Sequence, residues 1–333
     1  MLYTLRTFFI CIIFLVSVNG FAQIVESNNS ITGDSLHTRL TKPVPGHQDL
    51  ATYKPYFNTR LPSILNETSG LLFFNGQLWT INDSGNPPEI YQLDRANGNI
   101  LQTVTVSNSI NTDWESITQD DSNVYIGDFG NNAGNRTDLC ILKITKADLL
   151  NTTNDTVQAG YIHFIYPDQT QFKPAFNNTN FDCEAFIYFN DSLHLFSKNW
   201  SDLHTKHYIL PADTGYYKAR LAERFNAEGL ITDASINAKG NIVLLGYKKK
   251  DRKSYSCFAW LLHGYENSDF FSGNRSRLKL GSALHLGQTE GIVLNDDNTG
   301  WFSSESIQSG RFYKTAKLFS FDFGSYFEVR RKK

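Results

Sequence analysis

The chain has 333 residues, 41% hydrophobic, 14% aromatic and 19% charged, with a formal net charge of −2. So even a charge balance offers no extended basic surface and argues against nucleic acid as a partner. A chain this long buries an ample core without covalent staples, and its aromatic share beside a single Met points to strands.

The first 23 residues, "MLYTLRTFFICIIFLVSVNGFAQ", carry Arg6, no acid, and an apolar run from Phe8 to Val18. That run is short for a bilayer span, and Gly20 and Ala22 put small residues where a signal peptidase cuts, so residues 1–22 read as a secretory signal peptide. The expected product is exported, periplasmic or extracellular, and soluble, with no transmembrane segment after cleavage. Removing one base and no acid leaves a net charge of about −3. Cys140, Cys183 and Cys257 remain, widely spaced and odd in number, so at most one disulfide can form.

Residues 23–50 are polar, contain two prolines and keep no period, as a flexible arm does. Residues 51–328 then hold short alternating runs, among them "QLWTI", "EIYQL", "NVYIG", "LHLFS" and "NIVLLGY", separated by Asn, Asp and Gly turns. One stretch, "YYKARLAERF", fits either a helix or a strand and a turn. Residues 329–333, with "RRKK", read as a solvated basic tail.

One phrase recurs: "NETSGLLF" at Glu67, "DWESITQ" at Glu115, "DCEAFIY" at Glu184, "NAEGLIT" at Glu228 and "QTEGIVL" at Glu290. Each is a glutamate, a small residue close by, and the apolar start of a strand. A second and a third strand follow each copy. The copies stand about 45 to 70 residues apart, enough for four-stranded units of about 40 to 50 residues with polar insertions in the longer ones. This order predicts an all-β fold, a single β-propeller of five four-stranded blades, with residues 51–62 adding a strand that closes the ring. Six blades are the alternative.

The first strand of a propeller blade lines the central channel, so Glu67, Glu115, Glu184, Glu228 and Glu290 are expected to converge there, joined by Asp113 and Asp182. Two like charges about 5 Å apart repel by roughly 3 kcal/mol at an effective dielectric of 20, so something must offset them. A bound cation would, and all-oxygen ligands favour Ca²⁺. Alternatively, each glutamate accepts backbone hydrogen bonds and locks one blade to the next. A second, asymmetric set at the ends of the second strands, Asp83, Asp128, Lys198, Tyr247 and Glu305, is a candidate face for an unidentified small molecule or cell-surface component. A monomer is expected.

"NDSGNPP" and "GDFGNNAGNR" read as tight turns, with Arg136 in a structural ion pair. His204 and His207 read as surface histidines. Nucleophile-elbow, zinc-protease, P-loop and dinucleotide-binding motifs are absent from the sequence.

The segments "ETSGLLFFNGQLWTINDSG", "DWESI" and "VYIGDFGNNAGNR" resemble the signature of secreted bacterial propellers of the SdiA-regulated group, and more distantly SMP-30/gluconolactonase and esterase-like phytase propellers. The likeness runs from about Leu61 to Phe323 and is strongest in the first two blades. It implies a Ca²⁺-lined channel and, in the distant relatives, hydrolysis of lactones or phosphate esters at that ion. Of the Glu, Asn and Asp ligands of the SMP-30 pattern, only the acidic strand starts have a counterpart here. Two readings follow: a propeller that binds a ligand beside a structural Ca²⁺, and a Ca²⁺-dependent esterase in which Glu115 or Asp113 activates water.

Overall fold

The inner strands of each unit, such as "WESITQ" and "TEGIVL", mix polar with apolar residues, yet in the computed structural model, which describes residues 49–249, 254–309 and 312–328, they are buried almost without a break. The expected signal peptide, nearly all of the expected arm and the basic tail lie outside those residues. Strand β1 (Asp49–Thr52) begins two residues before the expected boundary, and β2 (Tyr56–Arg60) follows.

Blade 1 comprises β3 (Thr68–Phe74), β4 (Gln77–Asn82), β5 (Glu89–Leu93) and β6 (Ile100–Val106). Blade 2 has β7 (Trp114–Gln119), β8 (Asn123–Asp128) and β9 (Cys140–Thr145); after β10 (Thr156–Val157), which pairs back onto β6, it is completed by β11 (Gly160–Ile165). Blade 3 has β12 (Asp182–Phe189), β13 (Ser192–Lys198) and β14 (Thr205–Pro211); after β15 (Gly215–Lys218), which pairs with β11, comes β16 (Arg220–Phe225). The stretch that could have been helical is therefore two strands serving two blades. Blade 4 holds β17 (Leu230–Ile236), β18 (Ile242–Lys249), β19 (Tyr255–His263) and β20 (Asn274–Ser282), with β1 on its edge. Blade 5 holds β21 (Thr289–Leu294) and β22 (Thr299–Ser304), a hairpin of β23 (Ile307–Ser309) and β24 (Phe312–Lys314), then β25 (Lys317–Asp322). Its outer strand is β2, antiparallel to β25, so the N-terminal segment closes the ring.

The chain is a five-bladed β-propeller. Five apolar cores separate the blades, and each draws on two neighbours. Trp79 packs with Trp114 and Ile126, Tyr125 with Phe186, Phe196 with Trp260, Leu245 with Phe302, and Leu318 with Leu71, which joins blade 5 to blade 1. Five seams fill the circle, which decides against six blades. Inner strands are buried on both faces because each is wedged between neighbours, whereas outer β16 is mostly half-buried or exposed. The small residue of the recurring phrase serves the same crowding. A Cβ at Gly70, whose φ is +143°, would lie 3.0 Å from the Ile117 backbone nitrogen, and one at Gly291 would lie 2.9 Å from the Gly70 carbonyl carbon.

In every blade the two innermost strands slip register near their start, between Thr68 and Leu71, Trp114 and Ser116, Cys183 and Ala185, Ile231 and Asp233, and Thr289 and Gly291. Each slip inserts one extra residue, a β-bulge that re-aims its side chain. By the same count that residue is Ser69, Glu115, Glu184, Thr232 and Glu290. The five glutamates of the repeat are therefore not equivalent. Glu67 precedes its bulge by two residues and Glu228 by four, because the apolar pattern marks the strand but not where the bulge falls. Locking one blade to the next is also done by hydroxyls at this position rather than by carboxylates. Ser69 Oγ donates to the Trp114 and Glu115 carbonyls (2.9 and 2.7 Å), and Thr232 Oγ1 to that of Thr289 (2.7 Å).

Candidate ligand and cation site at the channel mouth

The bulges open into a cavity of about 670 Å³ at one end of the channel, where Glu115, Glu184 and Glu290 meet Asp83, Lys198, Tyr247 and Glu305. Two sets predicted as separate rings thus share one pocket. The register explains it: Asp83, Lys198, Tyr247 and Glu305 each follow the residue paired with the one before the bulge. Asp128 is itself that paired residue, opposite Trp114, so blade 2 adds no second-strand residue to the cavity: the next residue, Phe129, is buried in the core against Phe186, and Asp128 turns elsewhere. It accepts from the Asp113 nitrogen (3.1 Å) and from Arg136 Nη2 (2.9 Å), pinning the loop that leaves β8.

Asp113 is absent from the cavity wall, although its carboxylate reaches Asp83 and Glu115, and three further predicted residues stand away from both. Glu67 is exposed and accepts from Asn86 Nδ2 at 2.7 Å. Glu228 sits at a φ of +53° in the turn before β17; the channel acid of blade 4 is instead Asp233, fully buried between Ser116 Oγ (2.5 Å) and the Ile292 nitrogen (2.6 Å). Asp182 is buried with both oxygens already engaged, Oδ1 by the Asn131 and Cys183 nitrogens and Oδ2 by Trp200 Nε1 (2.7, 3.0 and 2.7 Å). It braces the wall without offering a free oxygen.

Two kinds of chemistry divide the cavity. On one side Lys198 Nζ donates to Glu184 Oε1, with both side chains buried, and stands 4.9 and 5.5 Å from the ring centres of Trp200 and Tyr247. Burial alone would lower this lysine; Glu184, Tyr247, Glu290 and Asp182 outweigh it and hold the ammonium well above its usual range. Glu184 Oε2 has no hydrogen-bond partner among the described residues.

On the other side Asp83, Asp113 and Glu115 each bring a carboxylate oxygen within 4.8 Å of the other two. Asp113 lies two residues before Glu115 along the chain, and Asp83 comes from the end of β4 in the preceding blade. Gly130, in the loop "DFGNNAG", makes room for them: a Cβ there would collide with the oxygens of Glu115 and Asp113. Glu115 is 6% exposed, and its carboxylate meets no hydrogen-bond donor among the described residues. Burial, then Asp83, Glu184 and Asp113, push it well above the ordinary glutamate value. Burial and Asp83 push Asp113 up to about 8. Burial also raises Asp83, against the bond it accepts from the Ser84 nitrogen. These shifts express one fact, that three buried carboxylates cannot all ionise unaided.

The cavity wall also holds residues that the sequence pattern did not single out, three of them with evident chemistry. Trp200 and Tyr255 supply aromatic walls, and Gln288 donates to Glu290 Oε1 at 2.6 Å. Trp200 follows Lys198 by two residues, so "SKNW" carried a signal; Tyr255 lies at the start of β19 beyond a polar insertion and carried none. His207 is a correction of another kind: it is buried rather than on the surface, facing Glu223, because β14 is clamped between β13 and β16. The three cysteines are free and buried.

No family model and no curated protein matches this chain. Among solved structures it is similar to a hypothetical protein from Leishmania major (12% identity, TM-score 0.46, 82% of this chain and 91% of that one). It is likewise similar to a GH43 β-1,3-galactosidase solved with galactodeoxynojirimycin (10%, 0.45, 80% and 94%). An α-L-arabinofuranosidase from Podospora anserina in complex with cellotriose gives 9%, 0.43, 81% and 98%. The blade count rests on the five sheets and their five seams, and the site rests on its own side chains. No helix among the described residues is long and apolar enough to cross a membrane.

Proposed function

We propose that this propeller binds a divalent cation, Ca²⁺ by preference, on Asp83, Asp113 and Glu115, and a small ligand in the adjoining cavity. The observation that carries the reading is the buried Glu115 carboxylate, without a donor and within 4.8 Å of two further carboxylates. An all-oxygen set of uneven depth suits Ca²⁺, which tolerates irregular geometry better than Mg²⁺. Bound there, the cation supplies the positive charge that the three acids lack, while Lys198 remains committed to Glu184. The aromatic wall of Trp200, Tyr247 and Tyr255 gives a ligand an apolar face beside the ion. Export rests on the first 23 residues, and kinship with the SdiA-regulated group rests on the motifs of the first two blades. The test is metal content, with thermal unfolding in chelator and in Ca²⁺. Retention of one Ca²⁺ per chain and a lowered midpoint in chelator support the reading; unchanged stability and no retained metal refute it.

A second reading, hydrolysis of a lactone or phosphate ester beside the cation, is favoured by Glu290. Burial, against Lys198 and Gln288, pushes its carboxyl up to about 7, a value suited to proton transfer near neutral pH. Turnover of such esters in Ca²⁺ that is lost in Glu290→Gln would support it; inactivity of the Ca²⁺-loaded protein on both ester classes would count against it.

A further inference from the structure

Away from the channel mouth, a line of polar side chains crosses blade 3 from its innermost strand to its outermost. The Phe189 carbonyl at the end of β12 is 3.1 Å from His194 Nε2 on β13, and His194 Nδ1 is 2.8 Å from His207 Nε2 on β14. His207 Nδ1 is in turn 2.9 Å from Glu223 Oε2 on β16. The other oxygen, Glu223 Oε1, accepts from the Phe271 nitrogen at 3.1 Å, which ties the line to blade 4. Both imidazoles are buried, at 2% and 0% exposed, against Phe196 and Phe270, so water does not complete the bonding.

Counting protons decides the state of this line. Three contacts need three hydrogens, and each neutral imidazole brings one. A carbonyl at one end can only accept, and so can a carboxylate at the other. Two neutral imidazoles between them would leave one buried contact without a hydrogen.

We propose that the line stores one additional proton, carried as the carboxylic acid of Glu223, and acts as a proton-dependent latch across blade 3. Glu223 Oε2–H donates to His207 Nδ1, His207 Nε2–H to His194 Nδ1, and His194 Nε2–H to the Phe189 carbonyl. All three contacts are then satisfied, and Glu223 Oε1 stays free to accept from Phe271. When the proton leaves, the ionised carboxylate takes the His207 hydrogen onto the Nδ1 side. His194 follows, and its bare Nε2 is left facing the Phe189 oxygen.

The surroundings favour the acid over an imidazolium. Burial holds both histidines down to about 3, with Arg220 adding to this at each of them. Burial pushes Glu223 up to about 7, with Asp269 adding to it and Arg275 and the Phe270 and Phe271 nitrogens opposing.

A group whose folded-state pKa is raised contributes stability that is complete below its ordinary value, 4.5 for this residue, and gone once pH passes the folded value of about 7. Glu223→Gln isolates this contribution, since its amide donates to His207 Nδ1 and accepts from Phe271 at every pH. The unfolding constant of the native protein relative to the variant should rise by close to tenfold per pH unit at first and less steeply towards pH 7, about fortyfold in all between pH 5 and pH 7. A ratio that stays flat over that range overturns the latch. Nitrogen-15 spectra of the histidines in the native protein decide the matter even if the variant does not fold. At pH 6 both rings should carry hydrogen on Nε2 and none on Nδ1; hydrogen on Nδ1 of His207 at pH 6 overturns the assignment.

Discussion

Glu115→Gln should stabilise the cation-free protein and destabilise the Ca²⁺-loaded one. At the 4.8 Å limit of the cluster, each ionised pair costs about 3.5 kcal/mol at an effective dielectric of 20. The cluster can escape by taking up a proton, and holding a glutamate of ordinary value 4.5 protonated at pH 7 costs about 3.4 kcal/mol. The two limits agree, so the amide, which keeps the shape and drops the charge, should add up to about 3 kcal/mol to the stability of chelated protein. In saturating Ca²⁺ the order should reverse. At a hundred times its dissociation constant the ion stabilises the native chain by about 2.7 kcal/mol, and a set missing one of three carboxylates forfeits most of that. Urea unfolding of both proteins, in chelator and in Ca²⁺, reads both arms. A variant less stable than the parent in chelator would refute the reasoning, because the carboxylate would then be a structural acceptor whose loss costs a bond.

Lys198→Met should destabilise the protein by about 3 to 5 kcal/mol in urea, since it leaves the buried Glu184 without its partner. The double variant with Glu184→Gln should recover part of the loss; no recovery would mean that Lys198 acts through packing on Trp200 and Tyr247. Ser69→Ala removes the donor to the Trp114 and Glu115 carbonyls and should cost about 1 to 2 kcal/mol, read as a lower urea midpoint at unchanged slope. Gly70→Ala should cost more, at least about 2 kcal/mol, because it adds both a strained φ of +143° and a contact with the Ile117 backbone. An alanine variant as stable as the parent would show that blades 1 and 2 are less tightly apposed than the structure has them.

The blade architecture was legible because it is written in a period: a glutamate, a small residue, an apolar strand and a turn, five times over. Ring closure by Tyr56–Arg60 was legible for the same reason, as the last unit lacked an outer strand. The exact composition of the site was not. Glu67 and Glu228 match the phrase but miss the bulge, whereas Asp233 sits buried just past the bulge, between Ser116 and Ile292, at a position where the phrase carries no acid. Bulge position depends on how neighbouring inner strands abut, as Gly70 and Gly291 do, and that information lies between blades. Asp128 and Asp182 were drawn to donors in loops that fold back on them, Arg136 after β8 and Trp200 after β13, which sequence spacing does not reveal. The merging of the two sets into one cavity follows from their being one strand pairing apart, and became visible only with the register.

Calorimetric titration of chelated protein with Ca²⁺ tests the central claim most directly. The account predicts one site per chain, present in the parent, abolished or strongly weakened in Glu115→Gln, and retained in Glu67→Gln, whose carboxylate stands outside the cluster. Absence of binding in the parent, or equal binding in Glu115→Gln, would contradict it.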